Sequence, residues 1–379
     1  MSVAEKSRIY LDYNATAPVI PEAQEAVRLC LADIGNPSSV HSEGRTAHRR
    51  LEEARAIVAA SVNGRSGDVI FTSGGTEANA LALHAQEYDH LIVSAIEHDS
   101  VLRNAQASKV RLDLIPVDQT GVVSLDALRE LLALRKGKTL VSVMLANNET
   151  GVIQPVADIV RLAREADAFI HCDAIQAIGK LPIDLKALGV DTVAMSAHKF
   201  GGPPGVGAVV TRPQFSLSPL LRGGGQENRR RAGTQNLPAI LGMAAATTHL
   251  PQRLADQPRQ AALRDHLESK IQIQAKDVII YGSGTLRLAN TSCIGMRYML
   301  AETQVMALDM AGFAVSAGSA CSSGKVTVSH VLQAMGAGDK EARQAIRISI
   351  GIETSLNDVD QFCNAWCEAY NRAKSLTAA

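Results

Sequence analysis

The stretch Val69-Ile-Phe-Thr-Ser-Gly-Gly-Thr-Glu-Ala-Asn79 decides the fold. Residues 69–72 read as a short buried strand, two glycines turn the chain, and a helical pattern follows over 77–87. Backbone N–H groups at a helix start hold anions, and glycines there let a phosphate come close. Thr76, beside Gly75, either caps this helix or offers its hydroxyl to such a phosphate. The string is neither a Walker A loop, since no GK[ST] follows, nor a GxGxxG fingerprint. Taken alone, it reads equally as a plain β–α turn.

The same rhythm continues outward from this stretch. Apolar runs at 91–96, 112–117, 139–146, 169–172, 192–195 and 206–210 read as strands. Helical patterns lie between them at 127–135, where Ser124 and Asp126 can start the helix, and at 156–167. Repeated β-then-α units predict an α/β fold, a mainly parallel sheet with helices on both faces. The glycine-rich loop 215–225 breaks the rhythm, and a long helical region is expected over 237–273. Residues 274–379 mix short strands (278–281 and 345–350) with helices, as a second, smaller α/β domain would.

The chain of 379 residues is long enough for roughly two to three domains and a large core. Basic and acidic residues balance at 38 each, which favours neither nucleic acid nor an anionic membrane as a partner. No signal-peptide pattern and no membrane-length apolar run is visible, so a cytoplasmic protein is expected. Cys30, Cys172, Cys293, Cys321, Cys363 and Cys367 form no CxxC pair, so no metal site is expected. Cys363 and Cys367, four apart, read as one packed helix face.

In such sheets ligands bind beyond the carboxyl ends of the strands, so chemical residues should follow strands directly. Asp173, in His171-Cys-Asp-Ala-Ile-Gln176, ends an apolar run, where a carboxylate is costly unless paired. A cofactor's pyridinium nitrogen would be one partner, and a capping role is the plain alternative. Lys199, in Met195-Ser-Ala-His-Lys-Phe-Gly-Gly-Pro-Pro-Gly205, follows another strand. A lysine there either pairs with an acid or does Schiff-base chemistry, and Ser196 and His198 flank it as phosphate donors. The run Asn147-Asn-Glu-Thr-Gly151 offers an amide to a ring oxygen or simply makes a turn. His98, after the strand at 91–96, is a flat, titratable ring that can stack on a cofactor or merely cap a helix.

Ser316-Ala-Gly-Ser-Ala-Cys-Ser-Ser-Gly324 is too rich in small residues for a core element and reads as a loop that exposes Cys321. Exposed thiols are reactive, which suits a nucleophile, and an incidental loop cysteine is the equal alternative. Arg347, within an apolar strand, calls for a carboxylate, either a substrate's or a structural partner's. The basic run 229–231 reads as a solvated loop, with contact to an acidic partner as the other reading.

Together these motifs resemble the cysteine desulfurases of the class V aminotransferase group, with pyridoxal 5'-phosphate (PLP) fold type I. The resemblance runs nearly end to end, from Ile9-Tyr-Leu-Asp-Tyr-Asn-Ala-Thr-Ala-Pro18 through Gly35-Asn-Pro-Ser38 to Arg347. It implies a large PLP-binding domain over 15–250 and a small domain from 1–14 and 251–379 that carries the cysteine loop. By the same likeness, Lys199 would bind PLP and shuttle the Cα proton, and Asp173 would pair with the pyridine nitrogen. Gln176 and Asn148 would contact the ring oxygen or substrate, and His98 would stack and transfer protons. Gly75, Thr76, Ser196 and His198 would hold the phosphate, joined by Thr234 from the neighbouring subunit, which implies a homodimer. Arg347 would clamp the carboxylate of L-cysteine, and Cys321 would take its sulfur as a persulfide for a transient acceptor protein.

The loop resembles that of the nitrogen-fixation and housekeeping iron–sulfur branch, with two departures. After Cys321 the chain reads Ser-Ser-Gly-Lys-Val-Thr-Val-Ser-His330, where that branch commonly has Leu-Glu-Pro-Ser. It also stops at Ala379 without the extension with which some members grip a scaffold protein, which leaves the acceptor open. An aminotransferase of the same fold would need no loop thiol; a selenocysteine lyase would use the same residues.

Overall fold

The computed structural model describes residues 8–318 and 328–378. After the short strand β1 (Ile9–Tyr10), the chain lays down β2 (Val69–Thr72), β3 (His90–Ser94), β4 (Arg111–Ile115), β5 (Thr139–Met144), β6 (Phe169–Asp173), β7 (Thr192–Ser196) and β8 (Gly207–Thr211). Strands β2 to β8 form one seven-stranded sheet in the order β2-β8-β7-β6-β5-β3-β4. Pairing is parallel from β7 across to β4 and antiparallel on both sides of β8. Parallel neighbours require crossovers, and helices such as Gly75–Leu83 and Val156–Glu165 supply them. The inner strands are buried at every position apart from half-buried Phe169, as expected of a sheet covered on both faces. Edge strand β4 is open to solvent over most of its length.

The other edge, β2, is closed by side chains. Glu227 accepts the Phe71 N–H at 2.9 Å and Arg55 donates to the Val69 carbonyl at 3.1 Å. Arg55 and Glu227 also pair with each other, both nearly out of water. An edge strand is thus denied to other chains by a buried ion pair.

A second layer follows. Strands β9 (Ile279–Tyr281), β10 (Thr291–Gly295), β12 (Ser316–Ala317) and β13 (Ala345–Ser349) pair antiparallel in the order β12-β13-β10-β9, and β11 (Phe313–Ala314) pairs with β1. Phe362, Trp366 and Tyr370 of the helix Leu356–Ala378 pack with Leu11, Leu308, Ile346 and Ile348 to form its core. Cys363 and Cys367 are packed in this core too. Among the described residues no helix is long and apolar enough to cross a membrane.

Two expectations need correction. The helical region expected over 237–273 is three helices, Leu237–Thr248, Leu250–Ala255 and Gln257–Gln274, each with a proline in its first turn. Proline lacks the N–H that would continue the preceding helix, so each one restarts the chain. The run 229–231 is not simply solvated: Arg230 donates to the Gly67 carbonyl at 2.9 Å, Arg231 pairs with Glu77 at 2.8 Å, and Arg229 remains exposed.

Candidate active site

A cavity of about 290 Å³ opens at the carboxyl ends of the main-sheet strands. Each strand delivers its residues as it ends. The turn after β2 brings Gly75 and Thr76, the turn after β3 brings His98, and β5 leads to Asn148. The end of β6 brings Asp173 and Gln176, and that of β7 brings Ser196, His198 and Lys199. Arg347 of β13 and the backbone turn at Asn14 and Ala15 close the far wall.

The helix Gly75–Leu83 starts at the cavity. Its N-cap, Gly74, has no side chain to satisfy the free N–H groups of the first turn. Thr76 therefore lies inside the first turn and is not the cap. A Cβ on Gly75 would stand 2.4 Å from Ile175 Cδ1, so a larger residue would push the Ile175 side chain aside. This donor-rich, side-chain-free helix start suits a phosphate.

Asp173 is buried at the end of β6, and burial pushes its carboxyl above the usual range. Two donors oppose that shift: Asn79 Nδ2 to Oδ2 at 2.7 Å and the Ile175 N–H to Oδ1 at 2.9 Å. The charge of Lys199 acts the same way. An aromatic N–H⁺ beside Asp173 would complete this set, so the site fits a protonated pyridine ring.

His98 caps its own helix, with Nδ1 accepting the Ser100 N–H at 3.0 Å. The proton of the neutral ring therefore sits on Nε2. Burial lowers the ring's basicity, with Asp173 and Lys199 acting in opposite senses, so His98 is neutral near pH 7. Asn79 Nδ2 also donates to Ser100 Oγ at 2.9 Å, which ties Asp173 to the His98 cap in one network. Burial and then the Lys199 charge push His198 down to about 4, so it offers a neutral ring.

Lys199 Nζ donates to the carbonyls of Asn14 at 2.7 Å and Ala15 at 2.9 Å. Arg347 donates to Asp12 Oδ1 at 2.8 Å and to the Asn148 carbonyl at 3.0 Å, while its buried Nε has no partner among the described residues. Arg347 also lines the cavity, so its guanidinium can meet a substrate carboxylate there in addition to the structural ion pair. In the turn after β5, Asn147 makes the turn, accepting from the N–H groups of Glu149 and Thr150, and Asn148 faces the cavity.

Ten of the twelve residues singled out from sequence thus line one cavity. Thr234 lies apart, in a separate cavity with Ser73, Gly205 and Arg231. Cys321 lies outside the described residues; the strand that precedes it, β12, is in register with β13 so that Ser316 faces Arg347. Sequence reasoning missed Asn79, Ser100, Asn14 and Lys180. Asn79 carried one usable signal, an amide inside the Ala-Asn-Ala-Leu interior of a helix, where Asn is out of place unless it is bonded.

Comparison with known proteins gives one answer at every level. Residues 9–362 match the Aminotransferase class-V family. The chain is 38% identical over 366 residues to the cysteine desulfurase IscS of Dictyoglomus turgidum, covering 94% of this chain and 92% of that one. The NifS-like protein of Rickettsia africae superposes with a TM-score of 0.89 at 35% identity, covering 96% and 99% of the two chains. SspA, solved in complex with cysteine, superposes at 0.78 with 30% identity over 90% and 99%.

Proposed function

The chain belongs to the Aminotransferase class-V family, and from that premise we propose that it is a PLP-dependent cysteine desulfurase that converts L-cysteine to L-alanine and leaves a persulfide on Cys321. The observation that carries this reading is the convergence of Lys199, Asp173, His98, a bare helix start and Arg347 on one cavity. Gly75, Thr76, Ser196 and His198 would hold the phosphate, Asp173 the pyridine nitrogen, and Asn148 and Gln176 the ring oxygen. When bound, PLP supplies the electron sink that makes the Cα proton of an amino acid removable.

The remaining work falls to the chain. Arg347, on the cavity wall, orients the substrate carboxylate. Lys199 Nζ, on the cavity wall, takes the Cα proton, and neutral His98 moves protons through Nε2. The Cys321 thiolate then attacks the substrate sulfur. The Cβ–S bond breaks and an S–S bond forms, and the carbon fragment takes up protons to leave as alanine. In sum, L-cysteine and the Cys321 thiol give L-alanine and the Cys321 persulfide.

Residues 15–250 serve as the cofactor domain and 1–14 with 251–379 as the small domain. Thr234 would complete the phosphate site of a second subunit in a homodimer. The persulfide passes to a transient acceptor in the cytoplasm, for iron–sulfur clusters or another sulfur-containing product. Incubation with PLP, L-cysteine and a thiol reductant should give sulfide and alanine in equal amounts. Cys321→Ser should keep the cofactor absorbance and lose both products. Cofactor absorbance with no alanine from the unaltered chain would sink the desulfurase reading.

A further inference from the structure

Behind Lys199 lies a second lysine that the reaction above does not use. Lys180 follows the Gln176 turn and sits at a small internal cavity lined by Tyr13, Lys199, Arg253 and Asn290. Its Nζ donates to Gln176 Oε1 at 2.9 Å and to Asn14 Oδ1 at 2.7 Å. These two bonds determine what the acceptors do next. With its oxygen held by Lys180, the Gln176 amide turns its Nε2 to the Asn14 carbonyl, at 2.9 Å. That same carbonyl receives Lys199 Nζ. Asn14, its oxygen held by Lys180 and by Asn290 Nδ2 at 3.0 Å, turns its own Nδ2 to Thr291 Oγ1 at 2.8 Å. One amine therefore orients the amide that faces the cavity, the residue whose carbonyl seats Lys199, and the join between the main sheet and β10.

We infer that Lys180 is a positioning residue for Lys199 and Gln176, fixing both through its paired bonds to Gln176 and Asn14. The inference deepens the PLP reading and rests on it. Lys180 does this with no ion-pair partner among the described residues. Its two acceptors are both amide oxygens rather than carboxylates, so neither supplies a counter-charge. The charges acting on it are all cationic: Lys199 after β7, Arg347 on β13, and Arg253 on the helix Leu250–Ala255. Tyr13, which lines the same cavity, has its phenol pushed up to about 12 by burial and then Glu353, and is neutral. Glu353 acts on Arg253 and Tyr13. Removal from water, reinforced by the cations, lowers the basicity of Lys180 well below that of an ordinary lysine.

The test compares the wild type with K180M and K180R in the PLP-loaded protein, and with K180M in the PLP-free protein. In K180M, kcat for alanine formation falls about tenfold to a hundredfold with KM changed less than about twofold, the signature of misplaced groups. The pH dependence of the bound cofactor's absorbance shifts as well. K180R, a permanent cation among three others, does not restore either property. Without cofactor, a lysine whose folded pKa is depressed makes stability rise with pH, up to the ordinary value near about 10. The melting temperature of the wild type relative to K180M therefore climbs from neutral pH towards about 10.

K180Q, which keeps a donor on a shorter arm, replaces K180M in the same readouts if the apolar variant does not fold. A folded variant with wild-type kcat and cofactor absorbance, or full rescue by K180R, or a melting-temperature difference that is flat with pH, overturns the inference. A wild type that neither binds PLP nor forms alanine instead overturns the functional reading, and the cofactor-free comparison still decides the charge state of Lys180.

Discussion

Asp173 and Asn79 form the most informative pair in the molecule. Burial raises the carboxyl above its ordinary range, and Asn79 donates one of the two hydrogen bonds that oppose this. Asn79→Ala should therefore weaken PLP binding by about tenfold, since a hydrogen bond to a charged group contributes about 1.5–3 kcal/mol. The measurement is the PLP dissociation constant by fluorescence or absorbance titration. Glu149 is shifted in the same direction. Burial raises its carboxyl to about 7 against the Ser329 hydroxyl at 2.6 Å, so the folded chain keeps a proton there that the unfolded chain releases near the ordinary carboxylate value. Its favourable contribution is complete at acid pH and is lost as pH rises towards 7. Glu149→Gln should thus gain stability relative to the wild type as pH rises through that window, measured as paired melting temperatures. Of the site residues, Lys199, Asp173 and His98 were legible because a polar group just after an apolar strand has a ligand or a cap as its usual explanation. Asn14 and Lys180 were not, because their bond joins residues 166 apart and no local pattern encodes it.

At the scale of elements, the site depends on how closely the turn after β2 approaches its neighbours. A Cβ on Gly207 of β8 would meet the backbone of Gly74 and the Met195 carbonyl, both at 2.7 Å. Neither is a side chain that can swing away. Gly207→Ala should destabilise the fold by about 1–3 kcal/mol, read by denaturant unfolding, and should loosen the phosphate cradle with it. The edge of β2 gives a second expectation. Glu227→Gln would leave buried Arg55 with only half-exposed Glu52 as counter-charge, at a cost of about 1–3 kcal/mol measured in the same way. Strand positions in the main sheet were legible to within a residue or two because β-branched runs bounded by glycine mark them well, whereas β10 and the two-residue strands β1, β11 and β12 were not read. The antiparallel turn of β8 was not, since an apolar run has the same appearance in either direction. The three-helix path over 237–274 was hidden because prolines at helix starts leave the apolar pattern intact.

On the scale of the whole molecule, the N-terminal segment links the two sheets. Leu11 packs in the second core, Asp12 pairs with Arg347, and Asn14 bonds to groups from both sides of the cavity. The cavity is therefore built from residues nearly the whole chain apart, and the catalytic reading depends on their being held together. Its central claim is that sulfur moves from L-cysteine to Cys321. The direct measurement is peptide mass spectrometry of the PLP-loaded protein, after L-cysteine without reductant and then alkylation. The account predicts one added sulfur atom on the peptide containing Cys321, removed by a thiol reductant, and absent when Lys199 is replaced by alanine. Alanine release with no added sulfur on that peptide would contradict it.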